Sequence, residues 1–269
     1  MKLDPVRSHD KISLGDKAAL PPRGLDADDD TLERKMEKLR IRLNELQNAL
    51  YAESKRSLLV VLQARDAGGK DGTIRRVFSS VNPQGCSVTS FKAPSHVELA
   101  HDYLWRVHSA VPAHGMIGIF NRSHYEDILA VRVHKLAPKK VWKQRYEQIN
   151  EFERMLTDNG VTIVKFFLHV SKEEQRVRLC ERLTDPSKNW KFQEADLGER
   201  ELWDEYTRAY IDVFRKCSTK YAPWFIVPAD RKHARDYLVL EKIVSTLEGM
   251  NPKYPEADPN VLKLLAKLQ

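Results

Sequence analysis

The chain has 269 residues, 42% hydrophobic and 31% charged, enough for one generous α/β domain with a substantial core. Lysine plus arginine number 45 against 38 acidic residues, and the net charge of +7 suits a polyanionic partner. The scattered Cys86, Cys180 and Cys217 form no C-x-x-C pair and argue against a disulfide framework; they predict buried structural thiols in a reducing cytoplasm. The polar N-terminus and the absence of a long apolar run predict neither a secretory signal nor a membrane span.

Residues 1–30, with Pro5, Gly15, Pro21, Pro22 and Gly24, read as an irregular arm. Leu39, Leu43, Leu46 and Leu50 recur at helical spacing and predict an amphipathic helix over 31–53. Leu58–Leu62 is a short branched apolar run, the mark of a strand buried on both faces. A helix over 71–80 follows, with Ile74, Val77 and Phe78 inward, then a turn at 82–85 and a strand at 87–91. Ser95 and Glu98 form a capping box for a helix over 96–109, and 116–120 is a third buried strand. Helices are predicted over 124–134 and 138–158, a strand over 161–168, and a helix from the Ser171 cap to Leu183. A polar, basic segment with two aromatics precedes a helix over 197–216; then come a proline-bounded strand at 222–228 and a helix over 231–249. The tail 251–269 is expected to end in a short helix. Strands alternating with helices predict a three-layer α/β fold, a five-stranded, mainly parallel sheet between helices.

The chemistry concentrates after the first strand. Ala67, Gly68, Gly69, Lys70, Asp71, Gly72 and Thr73 lie where a Gly-rich turn meets a helix start. Such a turn lets backbone N–H groups face a phosphate, the helix N-terminus adds partial positive charge, and Lys70 adds a full one. The spacing departs from G-x-x-x-x-G-K-[ST], because Ala64 replaces the first glycine and Asp71 the hydroxyl residue. Asp66 within the cradle is either a cap for the turn or a Mg²⁺ ligand. Asn121 and Arg122 end the third strand, where parallel sheets bind ligands, and Arg122 offers planar donors to phosphate oxygens. Glu126 and Asp127 follow; helix neighbours diverge by about 100°, so these carboxylates serve different partners, or they favour the helix dipole. His124 reads as structural. Arg182, Lys188 and Lys191 with Trp190 and Phe192 suggest a lid over 184–205 that brings cations to a phosphate, or a loop anchored by its aromatics. Lys135, Lys139, Lys140, Lys143 and Arg145 make a basic cluster that either guides a long polyanion or is a solvated face.

Five ordered segments together resemble the polyphosphate kinase 2 family: Gln63–Thr73, His101–Arg106, Phe120–Asp127, Lys188–Phe192 and Tyr221–Trp224. The resemblance covers about 31–250. It implies a P-loop kinase-like fold with a helical lid, and Mg²⁺-dependent phosphoryl transfer between inorganic polyphosphate and nucleotides without a covalent enzyme intermediate. It carries the family's loop residues onto Asp66 and Lys70, its strand-end basic residue onto Arg122 and its lid arginine onto Arg182. Many members have Asp-Arg-Ser-Trp-Tyr-Asn-Arg after the third strand. Asn121-Arg-Ser-His-Tyr-Glu-Asp127 is instead similar to class III, which accepts both AMP and ADP. Asn121 in place of an acid shifts the expected metal ligation to Asp66 and Asp127. The implied partners are polyphosphate, AMP, ADP, ATP and guanine nucleotides, in a homodimer or homotetramer, with no membrane and no nucleic acid. The rival readings are an ATP-dependent nucleoside monophosphate kinase and a non-catalytic P-loop module binding nucleotide or nucleic acid.

Overall fold

The computed structural model describes residues 3–26 and 29–258, together with Val261, Leu264 and Leu268. The helix expected at the end of the tail lies outside the described residues. In chain order the elements are α1 (Asp29–Glu53), β1 (Ser57–Ala64), α2 (Lys70–Val77), β2 (Cys86–Ser90), α3 (His96–Leu99), α4 (Trp105–His108), β3 (Ile117–Asn121), α5 (Glu126–Val133), α6 (Lys139–Asp158), β4 (Val161–His169), α7 (Lys172–Thr184), α8 (Ala195–Glu201), α9 (Trp203–Cys217), β5 (Trp224–Pro228) and α10 (Lys232–Met250). The five strands form one sheet in the order β2-β3-β1-β4-β5, and every neighbouring pair is parallel.

The central strand shows how the sequence sets the layers. Leu58, Val60 and Leu62 point to one face, where α1, α2 and α10 cover them. Leu59 and Val61 point to the other, where α5, α6 and α9 cover them. Every residue of β1 is buried, so each large apolar side chain contributes about 1.5–3 kcal/mol. The result is a three-layer α/β fold with a parallel sheet, and the Gly-rich loop follows the carboxyl end of the central strand.

The N-terminal arm lies along the far edge of this sheet. Val6 N donates to Trp224 O at 2.9 Å, Asp230 N donates to Ala19 O at 3.1 Å, and Leu14, Ala19 and Leu25 are buried. The arm thereby shields the β5 edge from pairing with another chain.

Two predicted helices are broken. The one over 96–109 keeps its Ser95–Glu98 capping box but splits into α3 and α4. Asp102 Oδ1 accepts from Leu104 N at 2.9 Å, a side-chain turn that competes with the helix. The one over 197–216 splits into α8 and α9 at Leu202. The thiols are unpaired, but Cys180 is exposed, which corrects the expectation of buried cysteines, and only Cys217 is fully enclosed. Among the described residues no helix is long and apolar enough to cross a membrane.

Within the core lies a fully buried polar cluster. Lys165, in the middle of β4, donates to Tyr125 Oη at 2.7 Å and Cys217 O at 2.8 Å and pairs with Glu153 of α6. Glu153 also meets the His124 ring at 3.2 Å and accepts from Tyr125 Oη at 2.9 Å. His124 is therefore structural, as its sequence reading held. Burial opposes the Glu153 charge, but Lys165 and His124 hold its pKa below the ordinary value.

Candidate active site

The loop between β1 and α2 is built by backbone geometry that few residues tolerate. Ala67 has φ +56° and Gly69 φ +97°. A Cβ on Gly68 would stand 2.6 Å from Ala64 Cβ and 2.9 Å from Arg65 O, so only glycine fits there. Three buried donors outside the loop fix its path. Gln175 donates to Asp66 O at 2.9 Å, Arg178 donates to Ala67 O at 3.1 Å, and the Arg235 guanidinium lies against Gly69, where a Cβ would be only 2.0 Å away.

The loop brings Lys70 to the start of α2, where Nζ donates to Ala64 O at 3.2 Å. Arg122 reaches in from the end of β3 with φ +62°, a strained conformation for a side-chain-bearing residue. Its Nη2 donates to Asp66 Oδ1 at 2.9 Å. Glu126, in the first turn of α5, completes the group. Burial pushes the Glu126 carboxyl above its ordinary value despite Arg122 and Lys70. Burial, reinforced by Arg122, lowers the Lys70 ammonium. Burial works against the charge of Arg122, yet Glu126 and Asp66 raise its pKa. Perturbed groups of both signs, converging at the carboxyl end of a parallel sheet, mark a functional site.

Asp66, Arg122 and Glu126 form one end of a cavity of about 240 Å³. Ala130 and His134 of the α5 region and Tyr206 and Tyr210 of α9 line its depth. Gln193, Ala195, Asp196 and Glu199 close it from the segment between α7 and α9. His134 Nε2 lies 2.9 Å from Glu199 Oε1 and 3.2 Å from Tyr206 Oη. Burial, and then Glu199, push the Tyr206 phenol far up, so it stays protonated.

Other residues singled out from sequence lie elsewhere. Asp127 does not join Asp66: its Oδ1 is 3.6 Å from Arg145 Nη1 and its Oδ2 is 3.8 Å from Arg106 Nη2. The divergence of helix neighbours turns Glu126 to the cavity and Asp127 to these arginines, which departs from the expected metal-ligand role. Thr73 is fully buried and donates to Asp236 Oδ1 at 2.9 Å, so its hydroxyl faces α10 and not the cradle, contrary to the phosphate-binding expectation. Gly72 faces Arg235 on the same side. Asp71 is exposed and accepts from Asn121 Nδ2 at 2.8 Å. Arg182 does not line the cavity; it donates to Asp196 Oδ2 at 3.1 Å and so ties α7 to the cover. Lys191 is exposed, with Nζ 5.0 Å from the Trp190 ring centre, and Trp190 is 76% exposed, so that aromatic is no anchor.

Sequence reading missed Gln175, Arg178, Arg235, His134, Glu199 and Tyr206, all far from the loop in the chain. It left Arg65 undecided. Arg65 is buried, stacks 4.0 Å from the Trp203 ring centre and donates to Thr207 Oγ1, binding β1 to α9. Burial lowers its pKa to about 10.

Residues 26–255 match the family described as Polyphosphate kinase 2. The chain is 58% identical over 217 residues to an AMP/ADP-polyphosphate phosphotransferase of Meiothermus ruber, covering 81% of each chain. It is 46% identical over 240 residues to an ADP-polyphosphate phosphotransferase of Rhodopseudomonas palustris, covering 85% of this chain and 83% of that one. The crystal structure of polyphosphate kinase 2 from Arthrobacter aurescens TC1 superposes with a TM-score of 0.90 at 40% identity, over 98% of this chain and 95% of that one. On these matches the chain belongs to the polyphosphate kinase 2 family.

Proposed function

We propose that the protein transfers phosphoryl groups between inorganic polyphosphate and nucleotides, making ADP from AMP and ATP from ADP. The observation that carries this reading is that Asp66, Arg122 and Glu126 line a cavity of about 240 Å³ and that Lys70 lies beside them. An oxygen of the acceptor's terminal phosphate attacks the terminal phosphorus of the chain. The P–O–P bond behind it breaks, leaving polyphosphate one unit shorter. Lys70 and the amides of Gly68 and Gly69 hold the donor end. Arg122 neutralises charge on the transferred group, and Arg182 moves with the cover that excludes water. Positioning and electrostatics suffice for this chemistry, so no residue needs to become phosphorylated.

The oxygen donors near the loop fit Mg²⁺. Asp66 and Glu126 offer carboxylates and Asn121 a side-chain carbonyl, while no three acidic, histidine or cysteine groups converge as a cage among the described residues. Mg²⁺ is commonly held by one or two carboxylates plus waters and substrate phosphates, which is this donor set. When bound, the ion would offset charge on the bridging phosphate oxygens.

Guanine nucleotides serve as weaker acceptors in this reading, the protein works as a homodimer or homotetramer, and the cytoplasm keeps its thiols reduced. The deciding experiment incubates the protein with polyphosphate, Mg²⁺ and AMP or ADP and separates the products by chromatography. ADP and then ATP are expected from AMP; no product from either acceptor would refute the reading. Mg²⁺ is tested by chelation and sedimentation gives the assembly.

A further inference from the structure

The cavity has a length scale built into α5. Glu126 and Ala130 lie four residues apart on one face of α5, and His134, which caps its C-terminus, follows at the same spacing. At 1.5 Å per residue they span about 12 Å, comparable with the reach of a nucleoside monophosphate from phosphate to the far edge of its base. Glu126 stands at the transfer end. Ala130 is the smallest of the three and leaves room at mid-length. His134 stands at the far end, against Glu199 and Tyr206.

That far end is chemically distinct. It brings together a carboxylate, an imidazole and a protonated phenol in mutual contact, while the lining arginines are Arg65, stacked on Trp203, and Arg122, paired with Asp66. Such a group suits an uncharged polar ligand edge and repels phosphate. Tyr206 and Tyr210 give the adjoining wall a flat apolar surface, which suits a base. The Glu199 carboxylate offers acceptor oxygens, and His134 engages Oε1 and fixes its orientation.

We infer that Glu199, oriented by His134 and Tyr206, reads the base of the acceptor nucleotide, accepting a hydrogen bond from the exocyclic 6-amino group of adenine. The inference rests on the phosphotransferase reading for the identity of the occupant. Guanine and hypoxanthine place a carbonyl oxygen at the same position. Two acceptors then face each other, and the half-buried carboxylate gains no donor from the base for the oxygen that His134 leaves free. The segment that closes the cavity therefore also selects its occupant.

The test compares AMP with purine riboside 5′-monophosphate, which lacks only the amino group. Dissociation constants are measured for the whole chain without polyphosphate, and kcat/KM with it. The wild-type protein is expected to prefer AMP by about tenfold in both measurements, as a charge-assisted hydrogen bond commands. Glu199→Ala is expected to bring the ratio to about one, mainly by weakening AMP. Equal affinity of the wild-type protein for the two nucleotides would overturn the inference, and that comparison needs no variant to fold. An undiminished AMP preference in Glu199→Ala would overturn it as well. The phosphotransferase reading fails separately: AMP would still bind better than its analogue, but no polyphosphate-dependent product would form.

Discussion

The protein takes a lysine and a glutamate out of water in two places, and the two glutamates end in opposite electrostatic states. In the core, Lys165 and Glu153 are in direct contact, and Tyr125, His124 and the Cys217 carbonyl saturate the remaining positions. Glu153 is held below its ordinary pKa, while burial lowers Lys165, against the pull of Glu153, as it lowers Lys70. At the cavity, Lys70 and Glu126 are desolvated without such a shell. Glu126 is pushed up and Lys70 down, each toward its neutral form. The first arrangement is complete without a ligand. The second is incomplete until an anion and its counter-charge arrive, which is what a phosphoryl-transfer site requires.

Breaking the complete pair should cost the most. Lys165→Met leaves Glu153 buried without its cation and should destabilise the fold by about 3–5 kcal/mol. Chemical denaturation would measure this, with activity per folded molecule largely kept; a loss below about 1 kcal/mol would mean that the cluster rearranges freely. Breaking the incomplete pair should do the reverse. Lys70→Ala should lower kcat by about 10²–10³-fold with little change in melting temperature. A variant keeping more than about a tenth of wild-type turnover would place Lys70 outside the transfer site.

Arg182 sharpens the comparison at the cover. It contacts Asp196 rather than the cavity, so it should matter when the cover closes. Arg182→Ala is expected to reduce kcat by about tenfold and change KM less, as steady-state kinetics would read. A change confined to KM would assign it to ground-state binding alone. Glu126 gives the smallest effect. Its folded pKa lies above the unfolded value, so its contribution to stability is full below the unfolded pKa and is lost as pH rises through the folded pKa. Glu126→Gln removes that loss. It should raise the melting temperature by about 1–3 °C at neutral pH, converge with wild type in acid, and lose activity. A lower melting temperature at neutral pH would show that the carboxylate is already satisfied.

The layers were legible because they follow from local pattern. The apolar run at 58–62 could only be a doubly covered strand, and the leucines of α1 could only face a core. The loop was legible because Gly68 and Gly69 meet backbone demands. Orientation was not legible where a distant partner decides it. Thr73 looks like a phosphate ligand until Asp236 captures it from a helix 163 residues on. Asp127 looks like a metal ligand until Arg106 and Arg145 surround it. Lys165 sits unnoticed in an otherwise apolar strand, because Glu153 lies on another element. Glu199 and His134 carry no local signature and become a pair only when the segment after α7 folds over α5.

The clasp between the arm and β5 bears on how the chain reaches this state. Val6 finds its partner at Trp224, and Ser218 donates from Oγ to the Val6 carbonyl at 2.5 Å. During synthesis the arm emerges more than two hundred residues before β5 and must wait for it before it can dock. The order β2-β3-β1-β4-β5 adds to the delay, since β1 gains its β4 neighbour only after some hundred residues. Such separations slow folding, and the nascent chain carries an unshielded apolar strand meanwhile. A ribosome-bound fragment ending before residue 224 should therefore hold a partly assembled sheet with a loose N-terminus, and protease resistance of residues 3–25 should appear only once β5 has been released.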